Sequence, residues 1–160
     1  MTEPDFPEYD DEPRIEVYIH IILAVKGQNN PIAENNREEI QKCIRRISNK
    51  SGNKIMAIFC MPDHAHLIVE LNPEMSLDDL FKLINSGSSK FINDYKLTKD
   101  KFEWHEDYAA FSLSACDLDE MTEYILNQKN IHKKLTFKGE FIYFLKQNDI
   151  DHDEDKLKWE

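Results

Sequence analysis

An α+β fold built on one four-stranded antiparallel sheet follows from three observations in this 160-residue chain. Apolar residues alternate with period two in four stretches, and they recur at helical spacing in the two segments that separate the first strand from the second and the third from the fourth. The second and third strands are joined by a turn too short for a crossover. The order is therefore strand, helix, strand, strand, helix, strand, with one further helix at the end. This is the βαββαβ pattern of ferredoxin-like folds, in which the crossover helices cover one face of the sheet and leave the other for a site.

Residues 1–14 hold six acids against Arg14, together with Pro4, Pro7 and Pro13, and read as an acidic flexible arm. Residues 15–25 place Ile15, Val17, Ile19, Ile21, Leu23 and Val25 on one face of a long central strand. After a Gly27–Pro31 loop, Ile40, Cys43, Ile44 and Ile47 mark a helix that the Gly-containing segment 48–53 ends. Residues 54–60 form a second strand, and the Pro62-Asp63 turn returns the chain into a third at 64–71. Ser76 is a candidate N-cap, with Asp79 three residues on, for a helix whose stripe is Leu77, Leu80, Phe81 and Ile84. That helix is expected to reach Tyr95 with a break near Gly87. Residues 99–107 read as a polar connection holding Trp104, and 108–114 as a short fourth strand. Asp117, with Glu120 after it, opens a last helix running to about His132. The domain spans residues 15–146, and residues 147–160 form an acidic tail.

At 41% hydrophobic and 32% charged residues the composition is that of an ordinary globular chain. No run of about 18 apolar residues offers a membrane span, and the acidic start is the opposite of a secretory signal, so the cytoplasm is the expected location. Cys43, Cys60 and Cys116 are too scattered for a disulfide framework or a thiolate zinc site. The formal charge of −11 sits mostly at the ends: residues 15–146 hold 19 acids and 17 bases and carry only −2. The domain can therefore still offer a basic face to a polyanion.

The chemistry-bearing stretch is Met61-Pro62-Asp63-His64-Ala65-His66-Leu67. His64 and His66 are two apart on a strand and share a face, about 6.6–7 Å apart at the backbone, so both rings can lean toward one cation. A pair of solvated or hydrogen-bonded histidines would show the same spacing. On the last helix Leu118, Met121 and Ile125 make the core stripe, and Tyr124 and Gln128 lie one above the other beside it. Taken alone these two are equally a half-buried aromatic and a surface amide.

Together with Phe102-Glu103-Trp104, Tyr108-Ala109-Ala110-Phe111-Ser112, Tyr124-Ile125-Leu126-Asn127-Gln128 and Lys133-Lys134-Leu135-Thr136-Phe137, the histidine stretch resembles the single-tyrosine HUH transposases of small bacterial insertion sequences and their repeat-associated (REP) relatives. The resemblance covers roughly residues 15–146 and implies a nuclease acting on single-stranded DNA, with hairpin substrates near element ends, normally as a homodimer. Carried over, it makes His64 and His66 metal ligands, Gln128 the third ligand and Tyr124 the nucleophile. Two positions depart from the family pattern. Ala65 stands where a bulky apolar residue is usual, and Ile131 replaces a histidine that often precedes His132.

Two imidazoles and an amide oxygen leave positions for phosphate oxygens and water, which suits Mg²⁺ or Mn²⁺. The cation would polarise the phosphodiester, and the tyrosine would form a 5′-phosphotyrosine and free a 3′-hydroxyl. Lys90, Lys129, Lys133 and Lys134, with Lys82 and Lys138, are candidate phosphate contacts. Trp104, Tyr95 and Phe137 are candidate platforms for unpaired bases. The alternatives are a domesticated REP-associated nuclease, a catalytically idle single-strand-binding module that kept the fold, and an unrelated His-x-His metallohydrolase.

Overall fold

The computed structural model describes residues 15–27 and 29–153. The acidic arm at 1–14 and residues 154–160 of the acidic tail lie outside the described residues. The elements run β1 (Tyr18–Val25), α1 (Arg37–Lys50), β2 (Lys54–Cys60), β3 (His64–Glu70), α2 (Leu77–Asp94), β4 (Trp104–Leu113), α3 (Leu118–Leu126), α4 (Gln128–Ile131) and α5 (Phe137–Gln147). The sheet order is β2-β3-β1-β4, all neighbours antiparallel. This is the expected α+β, ferredoxin-like arrangement, with the two longest strand pairings meeting on β1.

Alternation on β1 and β3 sends Ile19, Ile21, Leu23 and Val25, with Ala65, Leu67 and Val69, into one core. Ile40 and Ile44 of α1 and Leu80, Phe81 and Ile84 of α2 close it from above. Ser76 caps α2 as its sequence suggests, its hydroxyl accepting from the Asp79 amide at 3.1 Å. The break expected near Gly87 is absent, because that glycine serves packing rather than bending. A Cβ there would lie 2.6 Å from Ile47 Cδ1, so its absence lets α1 and α2 approach closely.

Four further expectations are corrected. Residues 15–17 precede β1 rather than belonging to it. The fourth strand begins at Trp104, because Trp104 pairs with Val25 across a shift in register and extends the sheet into the segment read as a connection. The second face of the sheet is not left open. Ile22, Ala57, Ile68 and Phe111 there pack against Ile125 of α3 and Phe144 and Leu145 of α5. Nor does the tyrosine helix end the fold: it stops at Leu126, and α5 follows. Among the described residues no helix is long and apolar enough to cross a membrane.

Candidate metal and nucleophile site

Three pieces of chain bring the site together under that second layer. The hairpin turn, closed by the Met61 amide donating to the His64 carbonyl at 2.7 Å, starts β3 on His64. Pairing with Ala24 and Ile22 of β1 then holds His64 and His66 at the sheet centre, both without exposed surface. The helix read as continuous from 117 to 132 divides at Asn127, whose amide donates to the carbonyls of both Glu123 and Tyr124. Tyr124 stays on α3 and Gln128 opens α4, yet both still face the imidazoles. Finally Thr136 caps α5 through the Gly139 amide at 3.1 Å, and the first turn of that helix delivers Glu140.

Glu140 is fully buried and is the hub of the cluster. Its Oε1 is 2.7 Å from His66 Nε2, 3.4 Å from His64 Nε2 and 3.3 Å from His132 Nε2. Its Oε2 accepts from the Gln128 amide at 2.9 Å and from the Tyr124 hydroxyl. Gln128 Oε1 in turn lies 3.1 Å from His64 Nε2 and 2.8 Å from His132 Nε2. The phenol and amide predicted to meet the imidazole pair therefore do meet it, within one chain. Phe137 stacks flat on the His64 ring with centroids 4.0 Å apart.

Burial by itself would push the Glu140 carboxyl up, but the imidazoles of His132, His64 and His66 outweigh it and hold the group well below the carboxylate range. Burial opposes charge on His64 too, yet its bonds to Asp63 and Glu140 raise it above the ordinary histidine value. His66, buried more deeply, is lowered despite Glu140. Burial and then the Glu140 carboxylate push the Tyr124 phenol far above its usual range. The phenol is thus held neutral so long as that carboxylate stands uncompensated.

A divalent cation fits this donor set. His64, His66, His132 and Glu140 each offer one ligand atom, and all four atoms lie within 4.8 Å of one another. The Nε2 atoms of the three rings all point inward. Two of the outer nitrogens meet obligate acceptors: His64 Nδ1 is 2.7 Å from Asp63 Oδ1, and His132 Nδ1 is 2.7 Å from the Leu135 carbonyl. A proton on Nδ1 leaves the Nε2 lone pair free for a metal, which is the tautomer a ligating ring needs. Three imidazoles and a carboxylate suit Mn²⁺ or a borderline ion better than Mg²⁺, which prefers oxygen donors.

Glu140 was not among the candidates from sequence, although a lone acid inside the apolar stripe Phe137, Phe141, Phe144 marks it. His132 takes its place in the cluster through α4, without the neighbouring histidine that Ile131 replaces. The nucleic-acid candidates divide. Trp104 is 3% exposed, its indole nitrogen donating to Ser88 Oγ at 2.8 Å, so it is a core residue and not a platform for bases. Lys90 is ion-paired with Asp94, and Lys129 with Glu34. Lys133 and Lys134 are exposed on the turn between α4 and α5.

The sequence model of the family described as "Transposase IS200 like" matches residues 14–128. The ISDra2 transposase TnpA of Deinococcus radiodurans is 24% identical over 115 residues, which cover 68% of this chain and 81% of that protein. Among solved structures, one described as a transposase from Deinococcus radiodurans superposes with a TM-score of 0.60 at 20% identity, covering 76% of this chain and 97% of that one. A REP-associated tyrosine transposase bound to a REP hairpin gives 0.58 at 12% identity, covering 79% and 74%. His132 and Glu140 lie beyond the residues that the family model matches.

Proposed function

Because the chain belongs to the IS200-like transposase family, we propose that it cleaves and rejoins single-stranded DNA through Tyr124, with a divalent cation held by His64, His66 and Gln128 and, in this chain, by His132 and Glu140 as well. The observation that carries this reading is the convergence of the Tyr124 hydroxyl, the Gln128 amide and three imidazole Nε2 atoms on one buried carboxylate. A bound cation supplies positive charge that polarises the scissile phosphate and offsets the charge of Glu140.

Tyr124 then has the role of nucleophile. Its oxygen forms a bond to phosphorus as the phenolic proton passes to Glu140 Oε2, the bond to the 3′ oxygen breaks, and that oxygen leaves as a hydroxyl after taking up a proton from solvent. The product is a 5′-phosphotyrosine, and attack by another 3′-hydroxyl reverses the step without ATP. Glu140 Oε2, the acceptor of the phenolic hydrogen bond, holds Tyr124 in the site. Hairpin-forming DNA is the proposed substrate, a class that one relative of the same fold carries in its solved structure. Lys133 and Lys134 would contact its phosphates. We retain the homodimer of the family resemblance, with each protomer carrying a whole site.

The test is incubation with hairpin-bearing single-stranded DNA and Mn²⁺, followed by denaturing electrophoresis. A covalent protein–DNA adduct is expected with the native chain and none with Tyr124→Phe. An adduct that persists in Tyr124→Phe would exclude this nucleophile. Strand cleavage that never yields an adduct would point to a metallohydrolase, and DNA retention with neither would mark an idle binding module.

A further inference from the structure

The three imidazoles of the cluster share a pattern that only two of them complete with an obligate acceptor. His64 turns Nδ1 to a carboxylate and His132 turns Nδ1 to a backbone carbonyl, so each is held with its proton outward and its Nε2 lone pair inward. His66 turns Nδ1 to neither. Its partner is Nε2 of His20, 2.9 Å away, on a β1 ring that is only 2% exposed. The two rings stack with centroids 5.1 Å apart, and Phe144 and Phe111 pack around His20. A buried histidine on a strand whose neighbours are almost all aliphatic has no packing reason to be there.

We infer that His20 is a positioning residue for the metal site, accepting the Nδ1 proton of His66 so that His66 Nε2 is free to bind the cation. Unlike a carboxylate or a carbonyl, an imidazole can also donate. Without metal, His66 Nε2–H donates to Glu140 Oε1, and its Nδ1 must then accept from His20 Nε2–H. With metal His66 gives up its Nε2 proton to solvent, the shared proton lies on His66 Nδ1, and His20 takes up one proton at its own Nδ1, so that its Nε2 lone pair accepts and neither ring changes charge. The His20–His66 bond therefore persists in both states with its direction reversed, and no ring has to move. Phe144 and Phe111 hold the ring in place for both.

This inference rests on the metal site proposed above, and its test separates the two. In the native protein, nitrogen-15 NMR of the histidine rings with Zn²⁺ as a diamagnetic probe should show His66 protonated at Nδ1 and His20 unprotonated at Nε2, reversing on chelation. By electron paramagnetic resonance, His20→Leu should bind Mn²⁺ about 10- to 100-fold more weakly. His20→Gln, which keeps an acceptor oxygen, should recover most of that loss. A zinc-loaded His66 with a bare Nδ1, or a folded His20→Leu with native Mn²⁺ affinity, overturns the inference while leaving the metal site standing. A native chain that binds neither ion overturns both. The NMR measurement decides the matter even if His20→Leu fails to fold.

Discussion

Glu140 brings a negative charge into a space lined by His64, His66, His132, Tyr124 and Gln128, where no solvent reaches it. His66 Nε2, the Tyr124 hydroxyl and the Gln128 amide nitrogen would each lose their acceptor if the carboxylate were removed, while His64 Nε2 and His132 Nε2 would keep only Gln128 Oε1. Glu140→Ala should therefore destabilise the metal-free protein by about 3–5 kcal/mol, the usual cost of breaking a buried ionic network from one side. Urea unfolding monitored by circular dichroism checks the magnitude. Glu140→Gln preserves shape but not charge, so the Tyr124 phenol should fall, with burial still holding it above its ordinary value. Carbon-13 NMR of the tyrosine ring carbons would record it, and an unmoved phenol would contradict the assigned cause. Residue chemistry at His64, His66, Tyr124 and Gln128 was legible in the sequence because spacing on a strand and on a helix fixes which side chains share a face. Glu140 and His20 were not, because each acquires its role only from a partner far away in sequence.

Among the elements, α5 is the one whose presence changes the site most. It stacks Phe137 on His64, inserts Glu140, and fills the second sheet face with Phe144 and Leu145. Its start depends on Thr136, so Thr136→Ala should cost about 1 kcal/mol and lower Tm by roughly 2–4 °C. A cation bound by Glu140 would also be held less firmly, which the same Mn²⁺ titration would read. Ser76→Ala on α2 loses an equivalent cap far from the site, and serves as the control with native metal affinity. Sequence periodicity located both crossover helices and three of the strands closely. It misjudged the start of β4 because pairing with β1, not local composition, decides where a strand begins. It also ran α3 and α4 together, since Tyr124 and Gln128 keep a helical spacing across the Asn127 turn.

For the whole molecule, the site's place inside one chain predicts how mixed variants behave. Inactive His64→Ala and Tyr124→Phe proteins should stay inactive when combined, because neither chain then holds a whole site. Recovery of adduct formation in the mixture would show that two chains share one. The pH dependence of the metal-free protein follows from buried histidines shifted in opposite directions, His20 and His66 down and His64 up. His20 is pushed down to about 3 by burial. The unfolded chain therefore binds a proton that the folded chain refuses, and stability falls as pH drops from about 6.5 toward 3. His64 is raised, so its contribution is complete below about 6.5 and is lost as pH rises through its folded value. Thermal melting should peak between these windows, and His20→Gln should flatten the acid limb. By itself the sequence determined the order of strands and helices, the shared face of His64 and His66, and the pairing of Tyr124 with Gln128, because periodicity is a local property of the backbone. Only the tertiary structure decided that α5 closes over the sheet, that Glu140 becomes the hub and that His20 stands behind His66. Those contacts join segments far apart in the chain, and no local pattern records which distant atoms the packing will bring within hydrogen-bonding reach.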